Sequence, residues 1–141
     1  MKKRTDELFR ILENKNNIKE YFSENEQELT DKSLSELLCD LLSRSGKDKS
    51  DVIAGANIDR TYGYQMFSGV RTNPSRDKIL MLCFGLGAEL SDVQTLLKKA
   101  GYAPLYPRIR RDSALIFAFE QKLSLMEANE LLYDIKEKVM E

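Results

Sequence analysis

Six consecutive positions of the stretch NIDRTYGYQMFSG (57–69) hold Arg60, Thr61, Tyr64 and Gln65. They supply a forked guanidinium, a hydroxyl beside a methyl, a phenol, and an amide that donates and accepts at once. Such groups recognise hydrogen-bonding edges and anions; they do not by themselves break bonds. The 141 residues include no histidine, which removes the commonest general base and the usual nitrogen ligand of zinc. No glycine-rich phosphate loop follows a strand pattern, and no acid pair sits in an apolar pattern that would hold it in a pocket. Neither an enzyme nor a metal or cofactor is expected.

Net charge is −1, which argues against holding a polyanion by bulk potential. Its distribution is uneven. Residues 44–80 carry seven basic and four acidic groups, whereas residues 1–32 carry seven and eight and residues 81–141 carry eight and nine. The one clearly positive segment contains the stretch above.

Helices must position these side chains. Strand-like alternation is almost absent, prolines number three, and apolar residues recur at spacings of three and four, so the chain reads as all-α. A charged helix is predicted from Asp6 to Phe22, with Leu8, Ile11, Leu12, Ile18, Tyr21 and Phe22 as a thin apolar stripe, followed by a polar link to residue 32. Ser33 and Glu36 predict a capping box for a helix closed by Gly46. Asp48 should cap a short helix, Asn57 should take a left-handed turn, and Asp59 should cap a helix over 59–67. Ser75 opens the first of two further helices, the second ending at Gly101, and the connector APLYPRIRR precedes a last helical pair. Three regions follow: a charged helix and linker at 1–32, a helical domain at 33–101, and a connector with helical hairpin at 102–141 packed on the same core.

Cys39 and Cys83 lie in apolar helical runs, so both are expected to be buried, unpaired packing thiols in a reducing compartment. The basic start MKKR lacks the apolar core of a signal peptide and no run is long enough to span a bilayer, so a soluble, cytoplasmic protein with no membrane partner is expected.

Shifting the chain by 35 residues lays RDKILMLCFGLGAELSDVQTLL over RDSALIFAFEQKLSLMEANELL. Seven of 22 positions coincide: Arg76/Arg111, Asp77/Asp112, Leu80/Leu115, Phe84/Phe119, Leu90/Leu125, Leu96/Leu131 and Leu97/Leu132. A repeat of this kind predicts two stacked helical hairpins, each burying a face it could not bury alone. The Arg-Asp pairs then read as helix-start devices, and PRIRRD (107–112) as arginines that tie down carbonyls and carboxylates at a helix junction.

Residues 34–100 resemble the lambda-repressor-like (Cro and repressor type) helix-turn-helix family of DNA-binding proteins. Lys49 stands where a polar residue begins the first helix of that motif. Val52, Ala56, Ile58 and Met66 occupy its apolar positions, SG at 68–69 ends the recognition helix, and NPS at 73–75 is a familiar join. Residues 102–112 and the final hairpin are similar to a bacterial subgroup of transcriptional regulators. The resemblance implies a five-helix repressor-like unit flanked by the N-terminal helix and the C-terminal hairpin.

Three positions depart from the family pattern: Ile53 where Ala or Gly is usual, Asn57 where Gly is usual, and Gly63 where Val or Ile is usual. By resemblance the first and third face each other at the helix crossing, so Gly63 should make room for Ile53. The cost of a helical glycine, about 1 kcal/mol, is smaller than the roughly 1–3 kcal/mol of overpacking it avoids.

The resemblance further implies double-stranded DNA as partner, with Arg60, Thr61, Tyr64 and Gln65 facing the major groove because Ile58, Gly63 and Met66 face in. Arg60 would fork onto guanine, Gln65 would pair with adenine and Thr61 would offer a methyl or hydroxyl. Lys49, Ser68 and Asn73 would lie near phosphates, Arg71 near backbone or base, and Tyr62 either packs on the scaffold or binds phosphate. A homodimer through Leu115, Phe117, Phe119, Leu131, Leu132 and Ile135 would supply a two-half-site operator. The alternative is an adaptor or antitoxin-like partner that keeps the fold without reading DNA and contacts a protein through the C-terminal hairpin.

Overall fold

A computed structural model of the chain describes residues 4–13, 18–19 and 32–141. Among the described residues there are eight helices and no strand, so the molecule is all-α. Its contacts divide it into two units, Met1–Lys32 and Ser33–Glu141. The first contains α1 (Thr5–Glu13), which places Asp6 and Glu7 in its first turn, where carboxylates suit the positive end of the helix dipole. No residue of α1 is buried, and Phe9 and Leu12 are exposed. Tyr21, Phe22 and most of the polar link lie outside the described residues.

The second unit holds α2 (Leu34–Ser45), α3 (Lys49–Gly55), α4 (Arg60–Ser68), α5 (Arg76–Leu86), α6 (Leu90–Lys99), α7 (Arg110–Glu120) and α8 (Leu125–Asp134). The starts of α2, α4 and α5 follow the polar caps read from the chain: Ser33, Asp59 and Ser75 accept from the backbone N–H of Glu36, Tyr62 and Lys78. Asp48 precedes α3 as expected, but its side chain makes no cap hydrogen bond. Glu36 meets the Ser33 hydroxyl, whereas the complete reciprocal capping box belongs to Ser124 and Glu127 at α8. Asn57 takes the expected left-handed conformation at φ 53°.

Helix α5 is buried over Ile79–Phe84, the signature of a helix surrounded by others. It packs against α2, α3, α6 and α8. The α3–α5 crossing is close because Gly85 has no side chain: a Cβ there would run into the carbonyl oxygen of Val52 and stand 3.2 Å from the Cβ of Ala56. Leu105, Leu115, Ala118, Phe119, Leu125, Ala128, Leu132 and Met140 belong to the same apolar cluster as Leu38, Val52 and Met66, so one core runs through the unit.

The 35-residue correspondence is physical. Arg76 grips the Asp112 carboxylate with two hydrogen bonds of 3.0 Å, and Arg111 grips Asp77 identically. The Nε of Arg76 donates to the carbonyl of Ala103 and that of Arg111 to the carbonyl of Lys138. The Gln94 amide clamps the backbone N–H and C=O of Leu105, and the Asn129 amide does so at Met140. Phe84 stacks on Phe119 with ring centroids 3.9 Å apart. The carbonyl bonds of the two arginines and the two amide clamps recur 35 residues on, while the Arg-Asp and Phe-Phe contacts join equivalent positions of one hairpin to the other.

The Arg-Asp contacts are also reciprocal: residue 76 reaches 112 while 111 reaches 77. That is the contact pattern of a local twofold, whereas stacked repeats would hand contacts on in one direction. The hairpins α5–α6 and α7–α8 therefore close on each other, which corrects the expectation of a stack. The Arg-Asp pairs also do more than start helices, since they fasten each hairpin to the other. Arg110 and Arg111 do tie down carbonyls, those of Ile135 and Lys138.

Two residue expectations are corrected. Cys39 is exposed, its thiol directed to the Phe67 carbonyl at 3.4 Å, whereas Cys83 is fully buried; both are free. Burial, reinforced by Asp92, pushes the Cys83 thiol far up and holds it protonated and inert. Leu115, Phe119 and Leu132, expected at a dimer face, sit inside the core; only Phe117 of that set is more than half exposed.

Candidate nucleic-acid interface

Helices α3 and α4 meet through a tight turn closed by Asn57 and anchored by Ile58, which is buried. At their crossing, a Cβ built on Gly63 would stand 2.6 Å from Cγ2 and 2.8 Å from Cγ1 of Ile53. Both residues are buried. One helix thus carries an extra branched side chain where the other has none, and packing is kept without a void.

With Gly63 and Met66 turned inward, Arg60 and Thr61 are fully on the surface, while Tyr64 and Gln65 are half-buried. The Tyr64 ring is a platform for cations. The Lys49 ammonium lies 5.9 Å from its ring centroid and the Arg60 guanidinium 5.6 Å from it, so one aromatic ring holds two cations at the surface. Lys49 also lies 5.6 Å from the Phe67 ring.

A second cluster forms around Tyr62. The Arg71 guanidinium lies 4.0 Å from its ring centroid and the Lys78 ammonium 5.6 Å from it. The Tyr62 hydroxyl accepts from the backbone N–H of Ser75 at 3.2 Å. Tyr62 therefore does pack on the scaffold, and its hydroxyl, which only accepts in this bond, keeps its own proton to donate. Arg71 is held further by a 3.0 Å hydrogen bond to Oε1 of Gln65, and its N–H donates to the Gln65 carbonyl. An adenine pairing by Gln65 would use that same Oε1, so Gln65 and Arg71 act as one unit.

The structure therefore brings Lys49, Arg60 and Tyr64 together, and separately Gln65 and Arg71. Ser68 serves the end of α4, donating to the Gln65 carbonyl and accepting from the N–H of Val70. Asn73 is exposed and reaches the Thr72 hydroxyl at 3.4 Å. Lys78 and the Tyr62–Ser75 bond escape sequence reasoning: the loop 69–75 folds back to bring residues 13 positions apart into contact. The nearest signal in the chain is the Ser75 cap, which places Lys78 in the first turn of α5.

The chain matches no known protein-family model, no curated protein and no solved structure. No helix among the described residues is long and apolar enough to cross a membrane, and no group of acidic, cysteine or histidine side chains among them is arranged to hold a metal ion.

Proposed function

We propose that this chain is a sequence-specific regulator of transcription that binds double-stranded DNA in the bacterial cytoplasm. Helix α4 enters the major groove as the second element of a repressor-like helix-turn-helix. The observation that carries the reading is the fit of Ile53 into the space at Gly63, which supports the paired-helix geometry that the family resemblance implies. That packing leaves Arg60 and Thr61 outward on α4, with Lys49 and Arg71 held on aromatic rings at either side. In this reading Arg60 and the Gln65–Arg71 unit meet base edges, and Lys49, Lys78, Ser68 and Asn73 lie toward phosphates. A symmetric dimer on two half-sites would supply the length of sequence that one α4 cannot read.

Selection of bound fragments from random DNA tests the proposal, followed by titration of the selected site at rising salt. Binding should weaken steeply, by about 0.9 in log K per unit log salt for each phosphate neutralised. Arg60→Ala should relax preference at one base position, whereas Lys49→Ala should weaken all sequences alike. No enrichment of any sequence, together with absent binding at low salt, would remove the proposal. The adaptor reading draws on a different feature, the acidic and aromatic outer face of α8.

A further inference from the structure

The internal duplication supplies its own control for surface function. Positions that the fold needs repeat between the hairpins: Leu80 and Leu115, Phe84 and Phe119, and Leu97 and Leu132 are all buried. Exposed positions answer no such demand, so a consistent change of character there points outside the fold. Along the outer side of α6 the exposed residues are Ser91, Thr95 and Lys98. One repeat later the equivalent positions on α8 are Met126, Glu130 and Tyr133, all exposed, with Met126 at 73 % and Tyr133 at 76 %. Lys99 is likewise replaced by Asp134. Two large apolar side chains and two carboxylates have appeared where the sister helix carries small polar groups and lysines.

These residues share a cleft. A space of about 740 Å³ runs between α8 and the C-terminal end of α3, with Met126, Glu130 and Tyr133 on one wall and Ala54, Gly55 and Asn57 on the other. That volume falls within the ordinary range of ligand clefts, roughly 300–1,000 Å³. Glu130 and Asp134 charge its rim and no lysine or arginine lines it, so it repels phosphate and favours a cation. The methionine and tyrosine offer an adaptable apolar surface.

We infer that the α3–α8 cleft docks a segment of a partner protein that presents Lys or Arg beside an aliphatic or aromatic anchor. The basic group sits against Glu130 and Asp134 while the anchor lies between Met126 and the small residues of α3. Asn57 forms part of the wall, so the occupant touches the turn that joins α3 to α4. The surface is distinct from the Arg60 face, and its occupation does not depend on DNA being bound.

A random dodecapeptide display library panned on the full chain tests this, with affinities of enriched peptides measured on the wild type and on Met126→Ser/Glu130→Thr/Tyr133→Lys. The three replacements copy the residues that α6 carries at the equivalent exposed positions. The enriched peptides should be net positive with at least one large apolar residue, and should lose at least tenfold in affinity for the triple variant. Glu130→Lys alone should weaken the same peptides should the triple variant melt early, and Arg60→Ala should leave them unaffected. Failure of DNA binding is thereby told apart from failure of docking. No enrichment, enrichment of acidic or uncharged peptides, or equal affinity for wild type and the Glu130→Lys variant would overturn the inference.

Discussion

Ile53 and Gly63 occupy one space, and the interatomic distances make the consequence quantitative. Even the Cβ of a residue at position 63 would overlap three side-chain carbons of Ile53, so Gly63→Val should destabilise the second unit by roughly 1–3 kcal/mol. Ile53→Ala frees that volume, and Ile53→Ala/Gly63→Val should recover much of the loss. Thermal melts of the two single variants and the double variant decide the matter, because strictly additive shifts would mean that the residues do not share the space. A second residue-scale case is Asp112, which is 2 % exposed and accepts from Arg76 and from the N–H of Tyr106. Removing it leaves the Tyr106 N–H unpaired and the Arg76 guanidinium with only the carbonyls of Ala103 and Pro104, so Asp112→Ala should cost at least about 1–3 kcal/mol. Arg44→Ala, which breaks a largely exposed 3.5 Å pair with Asp92, should cost less than about 1 kcal/mol, and denaturant titration of both variants checks the contrast.

At the scale of the element, the approach of α3 to α5 depends on a position that tolerates no side chain. Gly85→Ala directs a methyl at the Val52 carbonyl, backbone that cannot swing aside, and should cost about 3 kcal/mol. Gly55 lies on the other side of the same crossing, but its Cβ would stand an ordinary 4.0 Å from the Cα of Gly85. Gly55→Ala should therefore be neutral or slightly stabilising, and chemical unfolding of both variants checks the contrast. The start of α8 carries a pH dependence. Hydrogen bonds from the Ser124 backbone, then its side chain, hold the Glu127 carboxyl below its ordinary value of 4.5. A lowered folded-state value means that the capping contribution is complete above 4.5 and fades as pH falls through the lowered value. Protection of the amides in the first turn of α8, taken as exchange relative to the intrinsic rate at each pH, should fall there, and Glu127→Gln should abolish that pH dependence.

At the scale of the molecule, the reciprocal ion pairs fasten the two hairpins to each other over one shared core. Burial of Leu115, Phe119 and Leu132 at this junction means that a dimer, on the proposed two half-sites, must form through other residues. Leu132→Asp should then abolish cooperative unfolding at every protein concentration, as loss of a core does. A variant that still unfolds cooperatively, at a melting temperature independent of concentration where that of the wild type varies with it, would instead place Leu132 at a subunit interface. Charge is divided as well: arginine and lysine crowd the α4 face, while carboxylates and apolar side chains mark the outer side of α8. Two surfaces of opposite character on one core match the two partners proposed above, DNA at α4 and a basic peptide segment at α8.

The sequence by itself determined the helices from α2 onward, most of their caps, the left-handed Asn57 and the existence of a repeat. All of these depend on contacts within a turn or on a spacing that can be counted along the chain. It also carried the match of Ile53 to Gly63, because a resemblance named the two positions as neighbours. Only the tertiary structure decided that the repeats face each other, that Arg76 and Arg111 exchange partners, that Tyr62 is held by Ser75, and that Cys39 faces outward while Phe119 faces in. Those pairings join residues 13 to 36 positions apart. They depend on the angles at which helices cross, and a hydrophobic period gives each helix an inner face without saying which helix that face will meet.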